Sequence, residues 1–216
     1  MVMHQCFHPY GLPMGLLFSA LFVIISIAIF FKTREILKLT SHKGVKYFRI
    51  TFLFLAIAYA SKPILRLLSF ATGRPPKFGF LMPLSIVIVG YFSTMAFFYL
   101  FYSTVWKDIK YNYFLIFSNL IAVILSIVAA IFRSPSILFL IQLFVILCAV
   151  VVSIGKNKGK VSKTRLFYIL LLVFWIFNLL AFERRLCLLF EIDLLLNVIS
   201  VAVLLMIFYR VIKWVK

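Results

Sequence analysis

The sequence predicts an all-α polytopic integral membrane protein, a seven-transmembrane-helix bundle with its N-terminus outside and its C-terminus cytoplasmic. Three observations carry that expectation. Of 216 residues, 65% are hydrophobic and only 13% charged, at a mean hydropathy of +1.16. The apolar residues fall in seven runs, each near the ~20 residues a helix needs to cross the hydrocarbon. The basic residues fall largely between those runs and favour alternate connections. A soluble domain is about 45–50% apolar and about 25% charged. It could not bury this much apolar surface, whereas in a bilayer that surface needs no burial.

The spans follow in order. The first, Leu12–Phe31, has Lys32, Arg34 and Lys38 behind it and no Lys or Arg ahead of it. That is the reverse of a cleavable signal, so the segment is expected to insert with its N-terminus outside. The second, Tyr47–Leu68, carries Lys62, Pro63 and Arg66. The third is Leu81–Tyr102. The fourth and fifth, Tyr113–Phe132 and Ile137–Ile154, are separated by Arg133, Ser134, Pro135 and Ser136, and the proline makes this a credible turn. The sixth is Leu166–Phe182. The seventh, Leu186–Ile212, carries Glu191 and Asp193. Short loops make residues 1–216 a single transmembrane domain with no attached soluble unit.

Orientation follows from charge. With the N-terminus outside, the inner connections hold Lys32, Arg34, Lys38, Lys43, Lys46, Arg49, Lys107, Lys110, Lys156, Lys158, Lys160, Lys163, Arg165, Arg210, Lys213 and Lys216. The outer ones hold Lys62, Arg66, Arg74, Lys77, Arg133, Arg184 and Arg185. This is the positive-inside bias. Tyr47, Tyr102, Trp106, Tyr111, Tyr113, Tyr168, Tyr209 and Trp214 also fall at the inner boundary, as an interfacial aromatic belt would.

The formal charge of +18, from 23 Lys and Arg against 5 Asp and Glu, would suggest nucleic acid in a soluble protein. Here the charge is topological. The expected partners are membrane lipids, with anionic lipid at the cytoplasmic face of the plasma membrane, and not nucleic acid. The five basic residues between Lys156 and Arg165 could also dock a cytoplasmic protein partner.

Charges inside spans are costly and mark candidate sites. Lys62 and Arg66 are four apart on one helical face, with Tyr59 one turn before Lys62. On the seventh helix Asp193, Asn197 and Ser200 form a polar stripe, whereas Glu191 points elsewhere. Gln142 and Asn178 fall at similar depth on the fifth and sixth helices. Tyr59, Lys62, Arg66, Gln142, Asn178, Asp193 and Asn197 therefore share the outer slab. Pro63 loosens the second helix beside them. Three readings of this group stay open. It could be a pocket for an anionic or hydrogen-bonding ligand, buried ion pairs that hold helices together, or basic side chains reaching outward to headgroups. The inner half is expected to be nearly dry.

His4, Cys6 and His8 alternate near the N-terminus and could ligate Cu or Zn, although three ligands at a terminus fall short of a metal site. Cys6 and Cys187 would lie on the same outer side and could form a disulfide. Gly11 and Gly15 form a G-x-x-x-G, a spacing that permits close helix contact.

The chain has no H-E-x-x-H, G-x-S-x-G or P-loop, and its histidines lie outside the spans. No lysine occurs between Leu186 and Tyr209, where a retinal-binding helix needs one. No enzyme activity and no cofactor are expected. In outline only, the chain resembles the seven-helix sensor regions ahead of some histidine kinases, the small three-plus-one-plus-three sugar transporters and the ER retention receptors. No motif carries a match. The expected function is a non-enzymatic sensor or receptor-like module with an outward polar pocket, acting through a cytoplasmic partner. The alternatives are a small-solute transporter or channel subunit, and a structural or assembly subunit of a membrane complex.

Overall fold

The computed structural model describes residues 11–40, 43–71, 81–134, 136–156, 163–182 and 190–215. Among them it forms seven helices: α1 (Gly11–Thr40), α2 (Lys43–Ala71), α3 (Leu81–Val105), α4 (Tyr111–Ile131), α5 (Ser136–Lys156), α6 (Lys163–Phe182) and α7 (Phe190–Val215). Six are long and apolar enough to cross a membrane. In α6 the described apolar stretch is shorter, Leu166–Asn178. This is the build of an integral membrane protein. Helix α1 runs on past Phe31 to Thr40 through its basic residues, since Lys, Arg and Glu are good helix formers in water.

Helices α1 and α2 are antiparallel: Phe22 meets Tyr59, and Arg49 lies over Phe30. The same holds for α2 and α3, where Phe54 meets Phe92 and Tyr47 meets Tyr102. Helix α3 runs against α4, pairing Tyr102 with Phe114 and Tyr91 with Asn119. It runs parallel to α5, which lies beside it from Gly90 and Leu138 onward.

Backbone neighbours define a closed ring in the order α1, α2, α3, α5, α6, α7 and back to α1. Helix α4 stands outside that ring, against α3 and, less extensively, α5. Its buried face is made of small residues, Ser118, Ala122, Ser126, Ala129 and Ala130, which let backbones approach. Ser118 and Ser126 return their hydroxyls to carbonyls of the preceding turn, so neither needs a partner from another helix. The opposite face of α4 exposes Ile116, Phe117, Leu120, Val123, Ile124 and Ile127. In water such a face would be a liability; against lipid it is a solvent-compatible surface.

The described part of the α4–α5 connection, Phe132–Ser134, is a turn between the two helices. Arg133 takes φ 49°, in the left-handed region. Its N–H donates to Ala130 O at 3.2 Å, and the Ser134 N–H donates to Ala129 O at 3.1 Å. That pair of bonds is a Schellman cap, here with arginine where glycine is usual. Pro135 lies outside the described residues.

At the end where α1, α3 and α5 finish, the described basic residues gather: Lys32, Arg34, Lys38, Lys43, Lys46, Arg49, Lys107 and Lys110 among them. Arg49 donates from Nε to Phe30 O at 3.1 Å and lies 3.9 Å from that residue's ring centroid. It therefore ties α2 to α1 rather than standing free in the headgroup region.

The aromatic belt divides in two. Tyr113 and Tyr209 are exposed as expected, but Tyr47, Tyr102 and Tyr168 are buried. Tyr102 donates to Ile109 O at 2.9 Å, and Tyr168 shares a 2.7 Å hydrogen bond with Ser103. Tyr99 and Tyr111 hydroxyls lie 3.3 Å apart. The basic half of the bundle is thus not as dry as expected. Burial of a tyrosine ring is favourable once its hydroxyl finds a partner, and helix ends and loop carbonyls supply those partners here.

Candidate ligand-binding site

In the half of the bundle opposite the basic end, α2 and α6 face one another across the ring. No Cα of α2 lies within 8 Å of one of α6 among the described residues. Large side chains fill the gap. Tyr59 donates from its hydroxyl to Asn178 Oδ1 at 2.6 Å, and Asn178 Nδ2 donates to Phe174 O at 3.0 Å. The Tyr59 ring packs on Phe22, centroids 4.7 Å apart, and Phe174 closes the group edge-on.

Lys62 follows one turn after Tyr59, and its Nζ lies 4.8 Å from that ring's centroid. A cation over an aromatic face is attracted by the ring quadrupole, and more strongly when desolvated. Lys62 is half-buried. Pro63 lies within α2 and has no N–H, so the Tyr59 carbonyl lacks its usual helical donor.

A small cavity of about 20 Å³ opens beside this pair. It is lined by Tyr59 and Lys62 of α2, Ser93 of α3, Phe139 of α5 and Trp175 of α6. That is room for one water-sized occupant. Ser93 accepts from Gln142 Nε2 at 2.8 Å, and Thr94 accepts from the same nitrogen at 2.9 Å. Gln142 is 1% exposed and Trp175 4%. Gln142 Oε1 and Trp175 Nε1 have no hydrogen-bond partner. Buried polar atoms are almost always satisfied, so each orphan needs a reason.

Four of the seven expected site residues therefore come together. Tyr59, Lys62 and Asn178 are in direct sequence of contact, and Gln142 joins through Ser93. Asn197 is half-buried on α7, one turn before the fully buried Ser200, whose hydroxyl is also unpartnered. The side chains of Arg66 and Asp193 lie outside the described residues, as do His4, Cys6, His8 and Cys187. Glu191 is exposed. Among the described residues no group of three His, Cys, Asp or Glu side chains could hold a metal.

Ser93 and Trp175 were not anticipated in the sequence. Trp175 carried a usable signal, because a tryptophan in mid-span forgoes the interface it prefers and must place its N–H. Ser93 had none, since a serine in a membrane helix usually bonds its own preceding turn. It does so here as well, donating to Gly90 O at 3.2 Å.

Beneath the cavity, toward the basic end, the ring is filled by Phe52, Phe97, Leu100, Phe174 and Ile29, all nearly inaccessible. A larger concavity of about 560 Å³ lies over the start of α4, lined by Lys110, Tyr111, Asn112, Tyr113 and Ile116. It is open and encloses no buried polar group, so it does not compete as a site.

No known family profile matches the chain, and no solved structure matches it. It is similar to an "Uncharacterized protein" of Archaeoglobus fulgidus, with 28% identity over 207 residues, which covers 91% of this chain and 90% of that protein. The likeness covers most of both chains rather than one segment.

Proposed function

We propose that the chain is a non-enzymatic seven-helix membrane sensor or receptor-like module. Its N-terminus is outside, its C-terminus is cytoplasmic, and it resides in the plasma membrane. An outward-facing polar pocket around Tyr59, Lys62 and Trp175 takes the ligand, and the basic end acts through a cytoplasmic partner. One observation carries this reading: the water-sized cavity, lined by Tyr59, Lys62 and Trp175, the last with an unpartnered indole N–H, lies in the half opposite the basic end. Intramembrane ionisable groups beside a cavity mark function more often than packing. The orientation is supported by the basic residues gathered at the other end. The closed apolar packing beneath the cavity favours a one-sided pocket over a path for solute.

A sensor must transmit from pocket to basic end, so a pocket substitution should shift the equilibrium between bundle states. Trypsin added to inverted vesicles reports on the segment Lys156–Arg165. Lys62→Ala and Asp193→Asn are each expected to change its cleavage rate by about twofold or more while the protein still inserts. Unchanged cleavage in both variants, at normal expression, sinks the sensor reading. Solute uptake into proteoliposomes that depends on Lys62 would establish the transporter instead.

A further inference from the structure

We infer that the seam between α1 and α2 at the basic end is a binding site for one phospholipid of net negative charge. Arg34 and Lys46 hold its phosphate, and its acyl chain lies along Ile27, Phe31 and Leu53. The site is separate from the cavity between α2, α3, α5 and α6 and holds whichever way the bundle faces.

Ile24, Ile27, Phe31, Arg34 and Lys38 recur at alternate steps of three and four residues, so they form one stripe along α1, and all five are exposed. On α2, Lys46, Leu53 and Ile57 form a second exposed stripe. Each stripe is apolar along the bundle and turns basic at its end. The two changes fall at one height. Phe22 meets Tyr59 and Arg49 lies over Phe30; that antiparallel register, carried one turn further, puts Arg34 level with Lys46. The lipid-facing apolar surface therefore ends between Phe31 and Arg34. One helical turn beyond the Phe30 level is about 5 Å. The headgroup layer is roughly 5–7 Å thick on each side of the hydrocarbon, so Arg34 and Lys46 stand inside it. In a phospholipid bilayer the anion at that depth is the lipid phosphate.

Arg49 adds a fixed charge beside this pair. Its Nε donates to Phe30 O at 3.1 Å, and the Arg34 charge acts on it. Glu35, the one carboxylate within α1 and α2, is bound to Lys32 at 3.1 Å. No carboxylate of these two helices is left for Arg34, Lys46 or Arg49, and cations gathered in this way draw an anion from outside the protein. A guanidinium can grip a phosphate through two parallel N–H donors, and an ammonium supplies a point charge. Lys38 lies one turn beyond Arg34 on the same stripe, at the height of the headgroup alcohol. It repels the ammonium of choline or ethanolamine and tolerates glycerol. The expected order is phosphatidylglycerol above phosphatidylcholine.

Phe31 is the place for a reporter. Trp106→Phe and Trp214→Phe leave the buried Trp175 as a constant background, and Phe31→Trp puts an indole at the site. The protein is reconstituted in phosphatidylcholine nanodiscs with rising fractions of phosphatidylglycerol brominated high on its acyl chains. A matched series carries the bromine on phosphatidylcholine. Half-maximal quenching is expected at a mole fraction at least about fivefold lower for the glycerol lipid, the effect of one basic residue near an anionic headgroup. Arg34→Gln with Lys46→Gln should bring the two lipids to equal quenching, and Lys38→Gln should narrow the gap. Arg34→Gln alone should lower the preference at least about twofold, and it serves if the double variant is not monodisperse. Lys107→Gln with Lys110→Gln removes the same charge from the same end and should leave the preference intact. Equal quenching in the parent, a preference that survives loss of Arg34 and Lys46, or an equal loss on removing Lys107 and Lys110 overturns the site and leaves only the summed charge of the basic end. A preference abolished by inorganic phosphate at constant ionic strength also overturns it, giving these cations to a soluble anion instead of a lipid.

Discussion

The Tyr59 hydroxyl and Asn178 Oδ1, 119 residues apart in the chain, are joined by a 2.6 Å hydrogen bond across the hollow of the helix ring. Helices α2 and α6 make no close backbone approach, so side chains bridge them: this bond and the rings around it here, and Phe48 against Phe167 nearer the basic end. Interhelical hydrogen bonds in membranes average about 0.6 kcal/mol and reach about 1.7. Tyr59→Phe and Asn178→Leu are each expected to fall in that range. The double variant should cost about the same as either alone, because each single change already breaks the bond. Unfolding in mixed micelles by increasing SDS measures all three; strictly additive losses would refute the bridge.

Gly90 of α3 lies against side chains of both α4 and α5. A Cβ there would stand 2.7 Å from Leu138 Cδ1 and 3.2 Å from Ser126 Oγ. The first obstacle is the tip of a flexible side chain, so Gly90→Ala is expected to lower stability by only about 1 kcal/mol, near the low end of overpacking costs. Gly90→Val should lose more, since its branched side chain also meets Ser126. Adding Leu138→Ala to Gly90→Ala should recover part of the loss. Thermal unfolding in detergent checks the order, and a cost unaffected by Leu138→Ala would show that the contact is not the cause.

Arg133 occupies the left-handed position of the cap on α4. An L side chain there costs roughly 1–2 kcal/mol that glycine does not. Arg133→Gly is expected to raise the midpoint of thermal unfolding, and Arg133→Val to lower it, because a β-branched residue tolerates that region least. If both variants unfold at the parental temperature, the strain is not there.

Gln142 donates to two hydroxyls from a nearly inaccessible position. Gln142→Leu removes both bonds but also an unpartnered carbonyl oxygen, so its cost should stay below about 1.5 kcal/mol. Gln142→Glu carries a carboxylate into the same apolar surroundings and should be the more damaging change at neutral pH. Comparing SDS unfolding of the two at pH 7 tests this. The reverse order would mean that the amide is fully satisfied in the protein.

Topology has a direct check. Lys158→Cys, in the cysteine-free background, is expected to react with an impermeant maleimide only from the cytoplasmic side, as the positive-inside bias requires. Reaction from outside would invert the bundle and with it the direction of the pocket.

The helices themselves were legible in the sequence. Each apolar run became a helix at nearly the expected place, because a chain in hydrocarbon must satisfy its backbone locally and a long apolar run has no other way to do so. The site was legible in part. Lys62, Asn178 and Gln142 stood out as polar groups in apolar runs, and their depths along the spans already put them in one slab. Who meets whom was not. Apolar residues face both lipid and core, so periodicity along a span says little about which face points inward. That is how Tyr47, Tyr102 and Tyr168, placed at a boundary by position alone, turn out to be buried. It is also why nothing along the chain marked α4 as the helix outside the ring, or set Trp175 and Ser93 at one cavity with Lys62.

By itself the sequence determined the all-helical build, the long apolar segments and the separation of charge toward one end. These follow from hydropathy and charge read in order along the chain. Only the tertiary structure decided that Tyr59 reaches Asn178, that α3 packs between α2, α4 and α5, and that Lys62 and Trp175 line one small space. Those relations depend on how each helix is rotated about its axis. That rotation is set by the fit of small and large side chains between neighbours, as at Gly90 against Leu138, and not by any residue alone.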